Sequence, residues 1–442
     1  MVKRIKLSLV VSAVALALFT GCGYDNEDEN VVGANLILNA NTFTPVIDLT
    51  KEQLQAGFDF VATESNTTAQ TARLGIKSYK INYMTTDDNG KSVRTSGLIT
   101  VPTLTKEFLD AYKADIIPGL NNSEKRDFSL SIVSDQHGTI FEDAKSPTLE
   151  DPNKLSYIFS GAALFMTVQP DYIGFGDSNE SHPFILEKSL ANCTVDMIKA
   201  SIAFANKAGL PINGQVFLSG YSEGGFATMA AAKEIQANHP DINLKAVAPM
   251  AGPYDMETLG SISVAAPVMP FPPYLAYVVH AYSEVYDDID SKDIITNAYQ
   301  PMLSTLFDTE HNRSAIYMAL PNVYIGDKSQ SPDKLLQASL MSDYQNDKNT
   351  PLRKRFAENS PIDWKPTMPM KILHCKNDMV IPYKMSELAY ASFMEQGANP
   401  DIVKLVPIDG VTAAGGSVHG NCGLAAYAQV IPWFASIRRG EK

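Results

Sequence analysis

The sequence predicts an α/β chain: a mostly parallel sheet covered by helices on both faces, with a large helical insertion. Three observations predict this. Short apolar runs end in polar loops, as buried parallel strands do. Segments of helical pattern alternate with those runs. One stretch of more than a hundred residues breaks the alternation and is itself mostly helical in pattern.

The elements follow in order. Ile76 to Thr85 alternates polar and apolar residues, Asp87-Asp88-Asn89-Gly90 follows, and Val93 to Val101 is again strand-like. Asn-Gly between two such runs predicts a hairpin. Phe128 to Val133 and Ala162 to Val168 are short apolar runs, and Leu190 to Ala208 reads as a crossover helix. Gln215 to Ser219 is a strand, Phe226 to Asn238 a helix closed by Pro240, and Leu244 to Met250 a strand. Met370 to His374, Lys384 to Gln396, Ile402 to Ile408 and Leu424 to Ile437 continue as strand, helix, strand, helix. Between Pro253 and about Pro366 the pattern is helical and rich in proline, far longer than a βα connection of ~2–6 residues. It reads as a cap over the carboxyl edge of the sheet. The expected organisation is a leader over residues 1–22 and a tether with irregular lead-in over 23–70. A core follows in two parts, 71–252 and 367–442, with the cap, 253–366, between them.

The leader has its own logic. Lys3, Arg4 and Lys6 precede the apolar run Leu7 to Phe19, which is shorter than the ~20 residues of a membrane-spanning helix. Phe19-Thr20-Gly21-Cys22 resembles a bacterial lipobox, with Cys22 as the lipid-modified residue after cleavage. The expectation is an exported bacterial lipoprotein held by its N-terminal lipid anchor, at the outer membrane because Gly23 rather than Asp follows Cys22, on its periplasmic or surface face. Of the remaining cysteines, Cys193, Cys375 and Cys422, at least one is unpaired. Connectivity is open, with Cys375–Cys422 preferred because each lies three residues from a candidate site residue.

Charge excludes some partners. The chain carries −13, and removal of the leader takes away three more positive charges. No basic block offsets this, so nucleic acid is not an expected partner. No His/Cys/Glu cluster has metal-ligand spacing, and no phosphate-binding glycine motif occurs, so neither metal nor cofactor is expected.

Gly220-Tyr221-Ser222-Glu223-Gly224 matches the nucleophile elbow G-x-S-x-G, between a strand and a helix as that chemistry requires. A serine hydroxyl attacks only when a base takes its proton. Of seven histidines, only His419 follows the last strand, in a glycine-rich loop. The acid that orients it should end a late strand. Asp378 is the first candidate, Asp255 the second and Asp409 the third. An oxyanion needs donors: the backbone N–H of Glu223 after the serine, and that of Thr139 in the loop Ser134 to Thr139. His137 and Gly138 support that loop, and its His-Gly pair resembles the oxyanion loop of many esterases. Aromatic and apolar cap residues, Met269, Phe271, Tyr274, Leu275, Tyr277, Tyr282 and Tyr286, can either wall an acyl site or simply pack helices.

Taken in order, His137-Gly138-Thr139, Asp171-Tyr172-x-Gly174-x-Gly176, Gly220-Tyr221-Ser222-x-Gly224-Gly225, Asn377-Asp378 and His419-Gly420 resemble the secretory lipase and esterase branch of the α/β-hydrolases. The resemblance spans roughly residues 75 to 440. It implies an α/β-hydrolase fold with a helical cap, and a metal-free exported enzyme acting on small-molecule or lipid carboxylic esters. It also implies Ser222, Asp378 and His419 as a triad, with Tyr221, Asp171 and Tyr172 in support. A monomer is expected. Glu223 departs from the branch, where glutamine is common. The same triad could cleave amides, as a prolyl-type exopeptidase does, and a non-catalytic binding protein is the alternative of a different class.

Overall fold

The computed structural model describes residues 30–32, 35–65, 68–117, 120, 127–149, 155–267, 271–320, 332–414 and 416–440. The leader, Cys22, Met269 and Gly415 lie outside these residues.

The frame is one eleven-stranded sheet. The hairpin expected from Asn89-Gly90 is present: β4 (Ile76–Thr86) pairs with β5 (Ser92–Pro102) along its whole length. Six strands run parallel in the order β7 (Met166–Pro170), β6 (Leu130–Gln136), β8 (Ile212–Tyr221), β9 (Asn243–Met250), β10 (Met370–Cys375) and β11 (Val403–Ile408). From β6 the chain steps outward to β7, then crosses back to β8 on the other side of β6. Loops leaving β6 and β8 therefore diverge and open a crevice at the carboxyl edge.

Helices cover both faces. On one side, α4 (Glu187–Ala208) and α5 (Glu223–Asn238) are largely buried against the strands. On the other, α14 (Val418–Arg438) packs Tyr427, Val430 and Phe434 on Phe159, Phe165 and Phe217.

The lead-in is more ordered than its sequence pattern indicates. Within it, β1 (Asn30–Val32), β2 (Leu36–Leu38) and β3 (Ile47–Leu49) join the sheet, and α1 (Lys51–Ser65) follows. Three-residue strands carry no periodicity of their own; pairing makes them, β2 and β3 onto β4 and β1 onto β2. The strand expected from Ala162 begins at Met166, because the chain winds through a wide helical turn over Ile158–Ala162 first. The last helix begins at Val418 rather than Leu424. Ser417 caps it by accepting from the Gly420 N–H, so His419 stands in its first turn rather than in a loop.

Between β9 and β10 the described residues form only helices and loops, chiefly α6 (Met256–Ala265), α7 (Pro272–Val285), α10 (Arg313–Ala319), α11 (Ala338–Asn346) and α12 (Pro351–Glu358). Two contacts clasp this segment. Arg353 reaches Glu257 at 2.5 Å, tying α12 to α6. Asn359 accepts from the Glu187 N–H at 2.9 Å, satisfying an amide at the start of α4.

Cys375 at the end of β10 is bonded to Cys422 on α14, and Cys193 is a buried free thiol. The bridge closes a span of 47 residues, and the chain-entropy model assigns such a loop about 4 kcal/mol. Reduction, or the pair Cys375→Ser and Cys422→Ser, should lower the thermal midpoint by several degrees in a melt monitored by circular dichroism. An unchanged midpoint would mean that packing of α14 alone holds the two ends together.

Candidate active site

The carboxyl edge gathers the candidate residues from the loops after β6, β7, β8 and β10 and from the first turn of α14. Ser222 follows β8 with φ 61° and ψ −123°, a region that residues with a side chain rarely occupy. Its N–H donates to Met250 O, and its carbonyl accepts from the Phe226 N–H to begin α5. The turn closes only because Gly220 and Gly224 lack side chains: a Cβ on Gly220 would collide with Gly224 O, and one on Gly224 with Gln136 O.

His419 comes from α14 and Asp378 from the loop after β10. His419 Nδ1 donates to Asp378 Oδ2 at 2.6 Å, and its Nε2 faces Ser222 Oγ at 2.9 Å. Three side chains from separate parts of the chain thus form one hydrogen-bonded row. Burial pushes the Asp378 carboxyl up, but hydrogen bonds from His374 and His419 outweigh it and hold the group well below the usual carboxylate range. Its second oxygen accepts from the N–H groups of Val380 and Ile381. The two other candidate acids stand elsewhere. Asp255 caps α6 through Thr258, and Asp409 pairs with Lys376 on the surface.

Supporting contacts fix the histidine and the acid. Tyr221 donates to His419 O at 2.7 Å, with its ring 5.0 Å from the imidazole. His374, not singled out by sequence, is fully buried beside Asp378. Its Nε2–H faces Ile381 O at 3.0 Å and Asp378 Oδ2 at 3.4 Å, while the Ser386 hydroxyl donates to Nδ1 at 2.8 Å. Its position four residues before Asp378 is the one signal that could have found it.

The loop after β6 passes beside the serine. A Cβ on Gly138 would come within 3.6 Å of Ser222 Cβ, and Thr139 lines the same cavities as Ser222. His137 braces this loop: its ring nitrogens face Gly138 O at 2.8 Å and Asp171 O at 3.2 Å, and its ring lies 4.1 Å from Tyr172. Burial lowers the affinity of that imidazole for a second proton, and the nearby Glu223 carboxylate only partly offsets it. Tyr172 donates to His137 O, and Asp171, wholly buried, accepts from Ser96, Thr148 and the Thr148 N–H.

Glu223 turns away from the serine. Its carboxylate meets His182 Nε2 at 2.7 Å in a pair almost wholly shielded from water, and His182 Nδ1 faces Ile173 O at 2.8 Å. Because a carbonyl can only accept, Nδ1 carries a proton, and the pair shares one more between Nε2 and the carboxylate. His182 lies 41 residues from Glu223 in the chain, so sequence gave no hint of the pairing.

Two cavities meet at Ser222. An open cleft of about 1090 Å³ reaches Tyr221, His419, Gly423, Lys145 and the α10 residues Arg313 and Tyr317. A small cavity of about 100 Å³ lies where the helical segment between β9 and β10 meets the rest of the chain, lined by Phe184, Met256, Leu259, Leu275, Val278 and Phe356. Ser222, Thr139, Val380, Phe271 and Tyr274 border both. Of the cap residues singled out from sequence, Phe271, Tyr274 and Leu275 line these spaces. Tyr277 and Tyr282 are buried among other rings, and Tyr286 bonds Asn359; these three pack the cap rather than wall a cavity.

Residues 160–412 match the family described as secretory lipase. The chain belongs to that family. Membership makes this secretory lipase relative an exported hydrolase of the lipase/esterase type. Among solved structures, one from Legionella pneumophila assigned as a hydrolase is 25% identical with a TM-score of 0.74, covering 92% of this chain and 99% of that one. The rice cell wall degrading esterase LipA from Xanthomonas oryzae is 23% identical, with a TM-score of 0.69 and coverage of 92% and 97%. Candida antarctica lipase A in its closed state is 16% identical, with a TM-score of 0.53 and coverage of 86% and 81%. The last two share the fold of this secretory lipase family member. No curated protein matches it.

The geometry at Glu223 gives a prediction. In Glu223→Gln the amide can still bond His182, so ester turnover should stay within about threefold of wild type or rise. Glu223→Ala strands a buried imidazole nitrogen and should cost about 1–3 kcal/mol of stability. Steady-state rates and denaturant melts check both; a hundredfold loss in Glu223→Gln would give the carboxylate a direct part in the chemistry.

Proposed function

We propose that this protein is a serine carboxylic ester hydrolase working through Ser222, His419 and Asp378. The observation that carries the reading is the row Ser222 Oγ, His419 Nε2, His419 Nδ1, Asp378 Oδ2, standing where two cavities meet. His419 Nε2 takes the hydroxyl proton as Ser222 Oγ adds to the ester carbonyl. Asp378 holds the tautomer with Nδ1 protonated and stabilises the imidazolium that forms. The backbone N–H groups of Glu223, at the open first turn of α5, and of Thr139 receive the oxyanion. Collapse expels the alcohol, which takes the proton from His419, and leaves an acyl ester on Ser222. Water activated by the same imidazole then releases the acid.

The cavities divide the substrate. The apolar space under the cap suits the acyl group. At about 100 Å³ it is far smaller than the open cleft, so it suits short acyl chains. The open cleft is left for the alcohol. We further read the protein as a monomeric lipoprotein anchored through Cys22 at the outer membrane.

Ser222→Ala should abolish labelling by a fluorophosphonate and lower nitrophenyl ester turnover by about 10⁴-fold or more, and Asp378→Asn by about 10⁴-fold. Across nitrophenyl esters, kcat/KM should be greatest for acetate to butyrate and fall for octanoate and longer. Labelling that persists in Ser222→Ala would remove the nucleophile from this scheme. A maximum at long chains would instead place the acyl group in the open cleft.

A further inference from the structure

The floor of the open cleft holds a polar cluster that the ester chemistry does not use. Gln169, Asp135 and Ser219 lie side by side on β7, β6 and β8, and α14 adds Tyr427 above them. Asp135 Oδ1 accepts from the hydroxyls of Ser219 and Tyr427, each at 2.7 Å. Its Oδ2 has only the Gln169 amide at 3.3 Å. Gln169 Oε1 has no hydrogen-bond partner, though Gln169 is only 7% exposed. Both residues line the cleft that contains Ser222. The under-used Asp135 oxygen and the unpartnered Gln169 oxygen thus belong to two nearly buried residues that line it, and the Gln169 oxygen is itself closed to solvent. A buried acceptor without a donor is costly, and such a group in a native site calls for a ligand or water.

We propose that this recess is a subsite for an ammonium group on the alcohol half of the ester, so that the preferred substrates are short-chain esters of amino alcohols. The proposal rests on the esterase reading and deepens it. Charge selects ammonium over hydroxyl. The donors to Asp135 are two hydroxyls and an amide, all neutral, so its charge has no counter-ion in contact. Burial, only partly opposed by those bonds, raises this carboxyl to about 6, so it is ionised at neutral pH. Lys145 and Arg313 also line the cleft, but both are exposed and screened by solvent. The other titratable groups near the recess are Tyr427 and His419 on α14, Tyr221 at the end of β8, Tyr172 after β7 and His137 after β6. An ammonium supplies three donors and the missing charge together. Asp135 stands opposite Ser219, three residues before Ser222, which sets the ammonium about 10 Å from the reacting carbonyl.

The test compares 6-aminohexyl acetate, 6-hydroxyhexyl acetate and hexyl acetate as substrates of the full protein. At pH 8, kcat/KM for the amino ester should exceed that for the hydroxy ester at least tenfold. The ratio should fall below threefold at pH 5, as Asp135 gains a proton, and in Asp135→Asn at pH 8. Any pH dependence of the common ester chemistry acts on all three esters alike and cancels in the ratio. Attraction by the net negative charge would survive Asp135→Asn. Should that variant fail to fold, Gln169→Met and the wild-type pH series carry the same comparison. Equal rates for the amino and hydroxy esters, or a preference that persists in folded Asp135→Asn, overturn the proposal. If no ester is hydrolysed, the esterase reading fails by itself. Calorimetric titration with 6-aminohexan-1-ol against 1,6-hexanediol then decides the recess alone: tighter binding of the amine supports it, and equal or absent binding overturns it.

Discussion

The site depends on one constraint: Ser222 is held in a backbone conformation it would not choose. A side-chain-bearing residue at φ 61° costs of order 1–3 kcal/mol unless its surroundings leave no alternative. Here both sides of the turn are fixed. Its amide is spent on Met250 O and its carbonyl on the first bond of α5. The helix behind it is buried along β8, β9 and α4, with Phe226, Ala227 and Met229 at its core-facing positions. Relaxing the serine would drag α5 off the sheet. The strain therefore persists, and the hydroxyl stands clear of the strand where an imidazole reaches it.

The imidazole and its acid are delivered by a different mechanism, namely convergence. Strand β10 brings Asp378, and α14 brings His419 from beyond β11. The Cys375–Cys422 bridge joins these two elements within three residues of each. Tyr221, adjacent to the serine, donates to the backbone of His419. The elbow therefore positions both the hydroxyl and the histidine, and a shift in the turn would displace both ends of the 2.9 Å contact.

What was legible in the sequence is what a few neighbouring residues decide. The hairpin over Asp87 to Gly90, the elbow at Ser222 and the βα alternation each rest on local sterics or short-range periodicity. What was not legible was built by pairing at a distance. β2 and β3 are strands only because β4 accepts them, and β1 because β2 does. The row Gln169, Asp135 and Ser219 exists only where three strands lie side by side. His182 gained its partner through the fold, and the start of α14 was masked by glycines that a helix normally disfavours, with Ser417 supplying the cap that offsets them. The lead-in and the last helix escape pattern reading for opposite reasons: too few residues to show a pattern, and a pattern diluted by Gly420 and Gly423.

The carboxylates around the serine show how one chemical group takes different states in a single site. Asp378, Asp135 and Asp171 are all nearly or wholly shielded from water, and burial alone would raise each of them. Asp378 has two imidazoles among its partners and stays ionised far into acid. Asp171 and Asp135 have hydroxyls and amides, neutral donors that only soften the rise. Position follows from this difference. The carboxylate that bonds His419 is the one given two imidazole partners. Asp171, enclosed by Ser96 and Thr148, serves the loop beneath it. Asp135, which lines the cleft, has only neutral donors in contact. The distribution of donors, rather than the positions of the acids in the sequence, assigns each carboxylate its part.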